Sequence, residues 1–401
     1  MKVSIIGQGY VGLTISAFAG EFYEVIGFDN NQKIVEQLNQ GISHIEGVES
    51  SVLKSWIKAG RYKATTNGVD INGSDIVVIA VPTPLTKDRQ PDLTYIEAAC
   101  KTVGENLKNP ALIINESTSF PGTIRNYIKP SIEKYSSGNL EHLYAISPER
   151  VDPGRGDFNQ KNTPRLYAGL TPEASAKTRE FYSKFCDQLV EVSSPEVAEA
   201  AKLFENTFRQ VNIALVNEFA QITNALGISV YETLDAANTK PYGFMKFTPS
   251  AGVGGHCIPV DPSYLAAVAE ERGVPATFIR RANEVNLEMS KYVVDRVEAD
   301  NGGALQGKSV LVVGVAYKPN VADVRETAAE LVIEHLRSRG AVVAWHDDVV
   351  GTWHGEKSSE LNGADIAIVI TKHDFVDAKA IMSSAPYVFD TTGKLPQAHG
   401  L

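Results

Sequence analysis

Short apolar runs recur along the chain, bounded by glycine, proline and small polar residues and separated by longer stretches of mixed character. Runs that are apolar at nearly every position read as strands buried on both faces, as in a parallel sheet covered by helices. Val3–Ile6, Val25–Phe28, Asp75–Val81, Ala111–Asn115 and Leu143–Ile146 form a first series, and Leu13–Ala19 predicts its first helix. After Gly302-Gly303 a second series begins, with strands at Ser309–Val313, Ala341–Trp345 and Ile366–Ile370. Its helix covers Thr327–Arg339, with Gly340 as C-cap. Between the two series, Pro195 to Leu226 has no internal glycine or proline and predicts one long helix with Pro195 in its first turn. The pattern is α/β: two doubly wound parallel-sheet domains joined by a long central helix.

The first strand runs into Gly7-Gln8-Gly9-Tyr10-Val11-Gly12, and the second ends at Asp29. Strand, G-x-G-x-x-G, helix, strand, acid is the Rossmann dinucleotide pattern. Gly7 permits the tight turn, Gly9 lets the backbone approach a pyrophosphate, and Gly12 allows close helix–strand packing. Tyr10 and Val11 belong to the same cofactor loop. Asp29 would accept hydrogen bonds from a ribose 2′-OH, which favours NAD over NADP. Later strand ends carry Thr83, Thr118 and the run Glu149-Arg150-Val151. Ligands bind at such ends in open parallel sheets, but Thr83, Thr118 and Glu149 suit turns or caps equally well.

On the long helix, Lys202, Asn206 and Arg209 are spaced i, i+4, i+7 and share a face. Most of the remaining surface is apolar, so the helix should be buried. The polar stripe then serves a ligand rich in phosphate or hydroxyl groups, or an interhelical salt-bridge face. Phe204, Phe208, Ile213 and Val216 are candidates to face a second subunit.

Ala251-Gly252-Val253-Gly254-Gly255-His256-Cys257-Ile258-Pro259-Val260-Asp261-Pro262 is the most distinctive stretch. Pro262 suits the first position of a helix and Asp261 its N-cap, which would leave Cys257 in a glycine-lined loop just before the helix. There the thiol is either an activated nucleophile or a small buried side chain. In the second α/β series the full glycine fingerprint is absent, so that unit suits a mononucleotide or nucleotide sugar. Tyr317, Lys318 and Arg325 lie where phosphates would, or form ordinary surface charge.

Composition narrows the classes. The 401-residue chain is 43% hydrophobic and 21% charged, with a net charge of -10 and no basic run, which argues against nucleic acid and membrane partners. Cys100, Cys186 and Cys257 are few and odd in number, so neither a disulfide framework nor a metal cluster is expected. The N-terminal apolar stretch is too short for a signal peptide, and the expected location is cytoplasmic.

These motifs together resemble the nucleotide-sugar 6-dehydrogenase family acting on UDP-glucose and UDP-N-acetylhexosamines. The resemblance rests on the glycine loop, Pro82-Thr83-Pro84, Glu116-Ser117-Thr118, Ser147-Pro148-Glu149-Arg150, Lys202 with Asn206, the cysteine loop, and Asp323-Val324-Arg325-Glu326-Thr327. It implies an NAD-binding Rossmann domain over 1–192, a central helical dimerisation domain with the cysteine loop over 193–300, and a UDP-sugar-binding Rossmann-like domain over 301–401. Residues 254–262 and 238–245 are similar to the branch acting on N-acetylated sugars, nearest to UDP-N-acetylglucosamine. UDP-N-acetylmannosamine, UDP-N-acetylgalactosamine and UDP-glucose are the alternatives, and a catalytically silent NAD- or nucleotide-sugar-binding protein is the alternative of a different class. The implied catalytic residues are Cys257, Lys202, Asp261, Asn206, Thr118 and Glu149. The implied substrate contacts are Glu149, Arg150, Val151, Lys202, Asn206, Arg209, Gly254, Tyr317, Lys318 and Arg325, with Arg325 supplied by a neighbouring subunit. A homodimer or higher homo-oligomer is implied as well.

Overall fold

The apolar runs of the first series become strands because both of their faces are covered: Ile76–Ile79 and Leu112–Asn115 are buried at every position. A computed structural model of the chain describes residues 1–45, 47–151, 157–255 and 257–401. The chain forms two compact units, Met1–Glu205 and Asn206–Leu401. The first contains β1 (Lys2–Ile6), α1 (Tyr10–Ala19), β2 (Glu24–Phe28), α2 (Gln32–Asn39), α3 (Ser50–Lys58), β3 (Tyr62–Thr65), β4 (Ile76–Ile79), α4 (Thr94–Asn106), β5 (Leu112–Asn115), α5 (Lys129–Tyr135), β6 (Leu143–Ile146), β7 (Arg165–Gly169), α6 (Pro172–Tyr182), β8 (Leu189–Glu191) and the start of α7 (Pro195–Leu226).

Its sheet has the strand order β3-β2-β1-β4-β5-β6-β7-β8. Strands β1 to β6 are parallel, and the order reverses between β1 and β4, which places the ligand crevice of a doubly wound sheet there. Strand β7 departs from the expected all-parallel sheet and pairs antiparallel with β6. A parallel return needs a crossover helix, and the described part of 147–164 contains none.

The second unit holds the rest of α7, α8 (Val230–Asn238), α9 (Cys257–Glu271), α10 (Thr277–Asp300), β9 (Ser309–Val313), α11 (Ala328–Ser338), β10 (Val342–His346), β11 (Thr352–Trp353), β12 (Glu356–Lys357), β13 (Ile366–Val369), α12 (Ala378–Met382), β14 (Tyr387–Asp390) and β15 (His399–Gly400). Five parallel strands run in the order β10-β9-β13-β14-β15. Val216 and Ala220 of α7, Val293 and Val297 of α10, and Val332 and Leu336 of α11 share one core with Val310 and Val312 of β9. Helix α11 ends at Ser338, and its C-cap is Arg339 rather than Gly340. Gly340 follows at φ +78°, its N–H bonding Arg337 O, while Ala341 N–H bonds Leu336 O. That is the left-handed closure which glycine makes cheapest.

Two further expectations are corrected. Helix α9 begins at Cys257, so Asp261 is not its cap and Pro262 lies inside it. A helix leaves its first four N–H groups without intrahelical acceptors, so Pro259 costs nothing there, and the helix starts one turn earlier than the Asp-Pro pair suggests. Helix α7 is not buried all round. Phe204 (65% exposed), Phe208, Leu215 (64%), Ile222 and Leu226 (67%) line one open seam. Val216 sits about 100° round the helix from that seam and is buried in the core, and Ile213 is partly covered.

The glycine loop supplies a test of packing. A Cβ at Gly12 would lie 1.8 Å from Gly7 O, whereas one at Gly9 would meet nothing within 4 Å. Gly12→Ala should lower the unfolding free energy by about 1–3 kcal/mol in urea denaturation, and Gly9→Ala by less than about 0.5 kcal/mol.

Candidate active site

In the first unit the glycine loop is built as a cofactor turn requires. Gly7 stands at φ +92°, and its N–H bonds Phe28 O at 2.8 Å. A Cβ there would lie 2.4 Å from Ala80 O, so β1 and β4 leave room only for glycine. Exposed Gly9 caps α1, and Tyr10 and Val11 follow half-buried in its first turn. Asp29 accepts from Gln8 N and Asn31 N, each at 2.9 Å. A carboxylate has about four lone-pair sites, so two remain for ribose hydroxyls. Thr83, in the segment after β4, is almost fully buried.

The second unit repeats the turn and closes it. Gly314 has φ +82°, and a Cβ there would lie 1.8 Å from Thr371 O. The acid at the end of β10, Asp347, accepts the N–H groups of Val315, Ala316, Val349 and Val350, and His373 Nε2 lies 3.0 Å from it. Burial raises its proton affinity, but these donors more than offset that and hold the carboxyl well below its usual range. No lone pair is left for a ribose.

Beyond β5 and β6 the first unit gathers a charge cluster that sequence reasoning missed. Arg165, the first residue of β7, is 4% exposed and reaches Glu116 at 3.1 Å, Glu149 at 2.9 Å and Ser147 Oγ at 3.0 Å. Its guanidinium stacks 4.4 Å over the Tyr182 ring, and the Tyr182 hydroxyl donates to Glu116. Burial pushes the Glu116 carboxyl up to about 7; Arg165 pulls it down and Glu149 raises it. Glu149 also accepts the N–H of Arg150 at 2.7 Å and of Val151 at 2.5 Å, and the Gln160 amide bonds it too. Three predicted residues are thus fixed to one another. The Arg150 side chain forks onto Glu205.

A carboxylate that sequence reasoning missed is Glu199, 1% exposed on α7. It accepts Gly122 N–H at 2.6 Å, Ile124 N–H at 3.1 Å and the Ser119 hydroxyl at 3.3 Å. The predicted Thr118 lies in the loop so held. The signal for Glu199 was a carboxylate three residues before Lys202 in an apolar helix.

In the second unit, fully buried Asp261 accepts Asn206 Nδ2 at 2.6 Å, which joins two predicted catalytic residues of α7 and α9. Lys202 and Asn206 are half-buried, and Arg209 is exposed. Cys257 is exposed at the first residue of α9, where a helix N-terminus favours a thiolate. His256 lies outside the described residues. Gly255 N–H bonds Arg325 O at 2.9 Å, and a Cβ at Gly255 would lie 2.9 Å from the Tyr317 ring. Gly254 is equally confined, since its Cβ would meet Tyr317 and Glu326 O. The cysteine loop therefore packs on Tyr317 and the Arg325 backbone of its own chain. Arg325 forks onto Asp323, and its charge interacts with Cys257. Lys318 Nζ lies 5.5 Å from the Tyr317 ring centroid.

Three family models account for nearly the whole chain: the NAD binding domain of the UDP-glucose/GDP-mannose dehydrogenase family matches residues 1–186, its central domain 196–288 and its UDP binding domain 311–397. The chain belongs to the UDP-glucose/GDP-mannose dehydrogenase family. It is an NAD-dependent oxidoreductase, and its C-terminal segment supports a UDP-sugar substrate. It is 34% identical to the UDP-N-acetyl-D-mannosamine dehydrogenase of Pyrococcus horikoshii, over 93% of this chain and 90% of that protein. It is 35% identical to the UDP-N-acetyl-D-glucosamine 6-dehydrogenase of Pseudomonas aeruginosa, over 88% of this chain and 83% of that protein. The solved P. horikoshii enzyme superposes with a TM-score of 0.88 at 32% identity, covering 98% and 95% of the two chains. A UDP-glucose dehydrogenase from Pyrobaculum islandicum does so with 0.88 at 26% identity, covering 99% and 96%.

Arg165 stands between two carboxylates, so Arg165→Met strands buried charge. It should cost about 3–5 kcal/mol of stability in urea denaturation. Glu116 carries a sign test. Its proton affinity is raised in the folded state, so its contribution to stability is complete below about pH 4.5 and is lost as pH rises through about 7. The melting temperature of Glu116→Gln relative to wild type should therefore be more favourable at pH 8.5 than at pH 5.5.

Proposed function

We propose that this enzyme oxidises C6 of a UDP-N-acetylhexosamine from alcohol to carboxylate, consuming two NAD, with Cys257 carrying the covalent step. The observation that carries the reading is the exposed Cys257 at the head of α9, in a glycine-confined loop beside Arg325. NAD, when bound, supplies the hydride acceptor for both oxidations. The residues of the glycine loop and Asp29 bind it, with Thr83 and Thr118 nearby in the same sheet.

The chain's own groups carry the remaining chemistry. Lys202 stabilises developing charge on the C6 oxygen as its proton leaves, and Asn206 hydrogen-bonds that oxygen. The Cys257 thiolate adds to the aldehyde carbon, giving a thiohemiacetal that cannot diffuse away. After the second oxidation this becomes a thioester. Asp261 orients the hydrolytic water, Thr118 supplies a hydroxyl contact, and Glu149 is a second acid or base. Hydrolysis returns the thiol and releases the uronic acid. Arg150, Val151, Arg209, Gly254, Tyr317, Lys318 and Arg325 contact the nucleotide sugar. The functional division is 1–192 for NAD, 193–300 for dimerisation and the cysteine, and 301–401 for the UDP-sugar. The reaction is placed in the cytoplasm; among the described residues no helix is long and apolar enough to cross a membrane.

The cysteine-loop sequence favours the glucosamine epimer, and the relatives named mannosamine dehydrogenases favour the second epimer. NADH formation with UDP-N-acetylglucosamine, UDP-N-acetylmannosamine, UDP-N-acetylgalactosamine and UDP-glucose decides between them. The expected result is two NADH per sugar with one N-acetylated substrate. Activity with UDP-glucose alone refutes the N-acetyl reading. Cys257→Ser should abolish net acid production while nucleotide-sugar affinity changes less than about threefold. Normal acid production by that variant refutes the nucleophile.

The α7 seam of Phe204, Phe208, Leu215 and Leu226 supports a homodimer through this helix. Leu215→Glu should convert the dimer to monomer in light scattering. A wild-type monomer, or a variant that stays dimeric, removes this interface.

A further inference from the structure

We propose that Glu199 is a positioning residue of the dehydrogenase reaction: its carboxylate clamps the 117–124 loop onto the face of α7 that carries Lys202, and the clamp is complete only while that carboxylate is ionised. The inference rests on the family's dehydrogenase activity and not on which sugar is oxidised.

The loop leads into a helical run that opens with the π turn Ile124–Ile128 and continues into α5. The first amides of such a run need acceptors from outside it. The local candidate does not provide one. Thr123 at the N-cap makes no side-chain cap bond, and its hydroxyl is spent on Phe120 O at 2.6 Å. Glu199 does so from another helix. One oxygen takes Gly122 N–H, and the other takes Ile124 N–H and the Ser119 hydroxyl. A carboxylate at a helix N-terminus is also favoured by the helix dipole.

The other end of the loop is held independently. Asn115 Nδ2 donates to Ser117 O at 3.1 Å, and Val81 N–H donates to Ser117 Oγ at 2.9 Å. Thr118 lies between the two anchors. Glu199, Lys202 and Asn206 are spaced i, i+3, i+7 and share one helix face. The clamp therefore sets where Thr118 stands relative to Lys202.

A protonated carboxyl would turn one accepting oxygen into a donor facing an N–H group. Burial pushes the Glu199 carboxyl up to about 7, against the pull of Gly122, Ile124 and Ser119. Two charges face it: Glu196 on its own helix, and Arg125 from the Ile124–Ile128 turn, which pairs with Glu196 at 2.7 Å. The strands beside this part of α7 contribute apolar Ile146 and Ala168. The acidic loss of activity should then belong to Glu199.

The test is Glu199→Gln, which keeps the shape and replaces one accepting oxygen by a donor. Kinetics are taken from pH 5.5 to 9 with the nucleotide sugar that wild type oxidises. At pH 8 kcat should fall at least about tenfold while both KM values move less than about threefold. Wild type should lose kcat below about pH 7, and the variant should show no such limb. Amide exchange at Gly122 and Ile124, which needs no substrate, should be faster in the variant. Unchanged exchange refutes the clamp. Faster exchange with kcat within twofold of wild type refutes the positioning role, and so does an acidic limb that persists in the variant. If no nucleotide sugar is oxidised, the substrate reading fails by itself and the exchange measurement still decides the clamp. Should Glu199→Gln not fold, Ser119→Ala removes one donor that favours the anion. It should shift the wild-type limb to higher pH, and an unmoved limb overturns the proposal.

Discussion

Carboxylates withdrawn from water, at strand ends and on the helices beside them, constrain the segments around them. A buried charge without donors costs several kcal/mol, so each such group admits few arrangements of its surroundings. Glu116 is met by Arg165 and Tyr182, Glu199 by loop amides, Asp261 by Asn206 and Asp347 by its own glycine turn. Hydrophobic burial assembles the sheets. The carboxylates then select one loop geometry from the many that the sheets would tolerate. The candidate catalytic residues Thr118, Glu149 and Asn206 each lie in, or bond directly to, one of these constrained segments.

Much of the architecture could be read from local pattern. A run such as Ile76–Ile79 needs no partner to announce a buried strand, and Gly7, Gly9 and Gly12 announce their roles by spacing to β1 and α1. Strand β7 could not be read in this way, because it opens with Arg165 and its direction follows from the connection rather than from its own residues. The Asp261-Pro262 pair misplaced the start of α9, since the proline of its first turn is Pro259 and Pro262 lies inside the helix. Lys202, Asn206 and Arg209 could be grouped on one face because helical spacing is a local property. Glu199 and Gly122 lie 77 residues apart, and Tyr182 and Glu116 lie 66 apart. Only the folded sheet brings them together.

Helix α7 combines two demands on one element. Its apolar seam is open in the single chain, while a separate face carries Lys202 and Asn206. An uninterrupted run of 32 residues, with no glycine and no proline after Pro195, carries the two faces on one helix.

The saturation of Asp347 reaches beyond its own turn. With Asp347 of the second unit saturated by backbone donors, the described residues offer a dinucleotide berth in the first unit alone. If the reaction is the four-electron oxidation proposed above, it must pause halfway, while spent cofactor departs and a fresh molecule arrives. Through that interval a free aldehyde would be lost to solvent, and a tethered one would not. On that proposal the crowded carboxylate of one unit imposes a waiting time, and a reactive thiol is the kind of group that can hold a substrate through it.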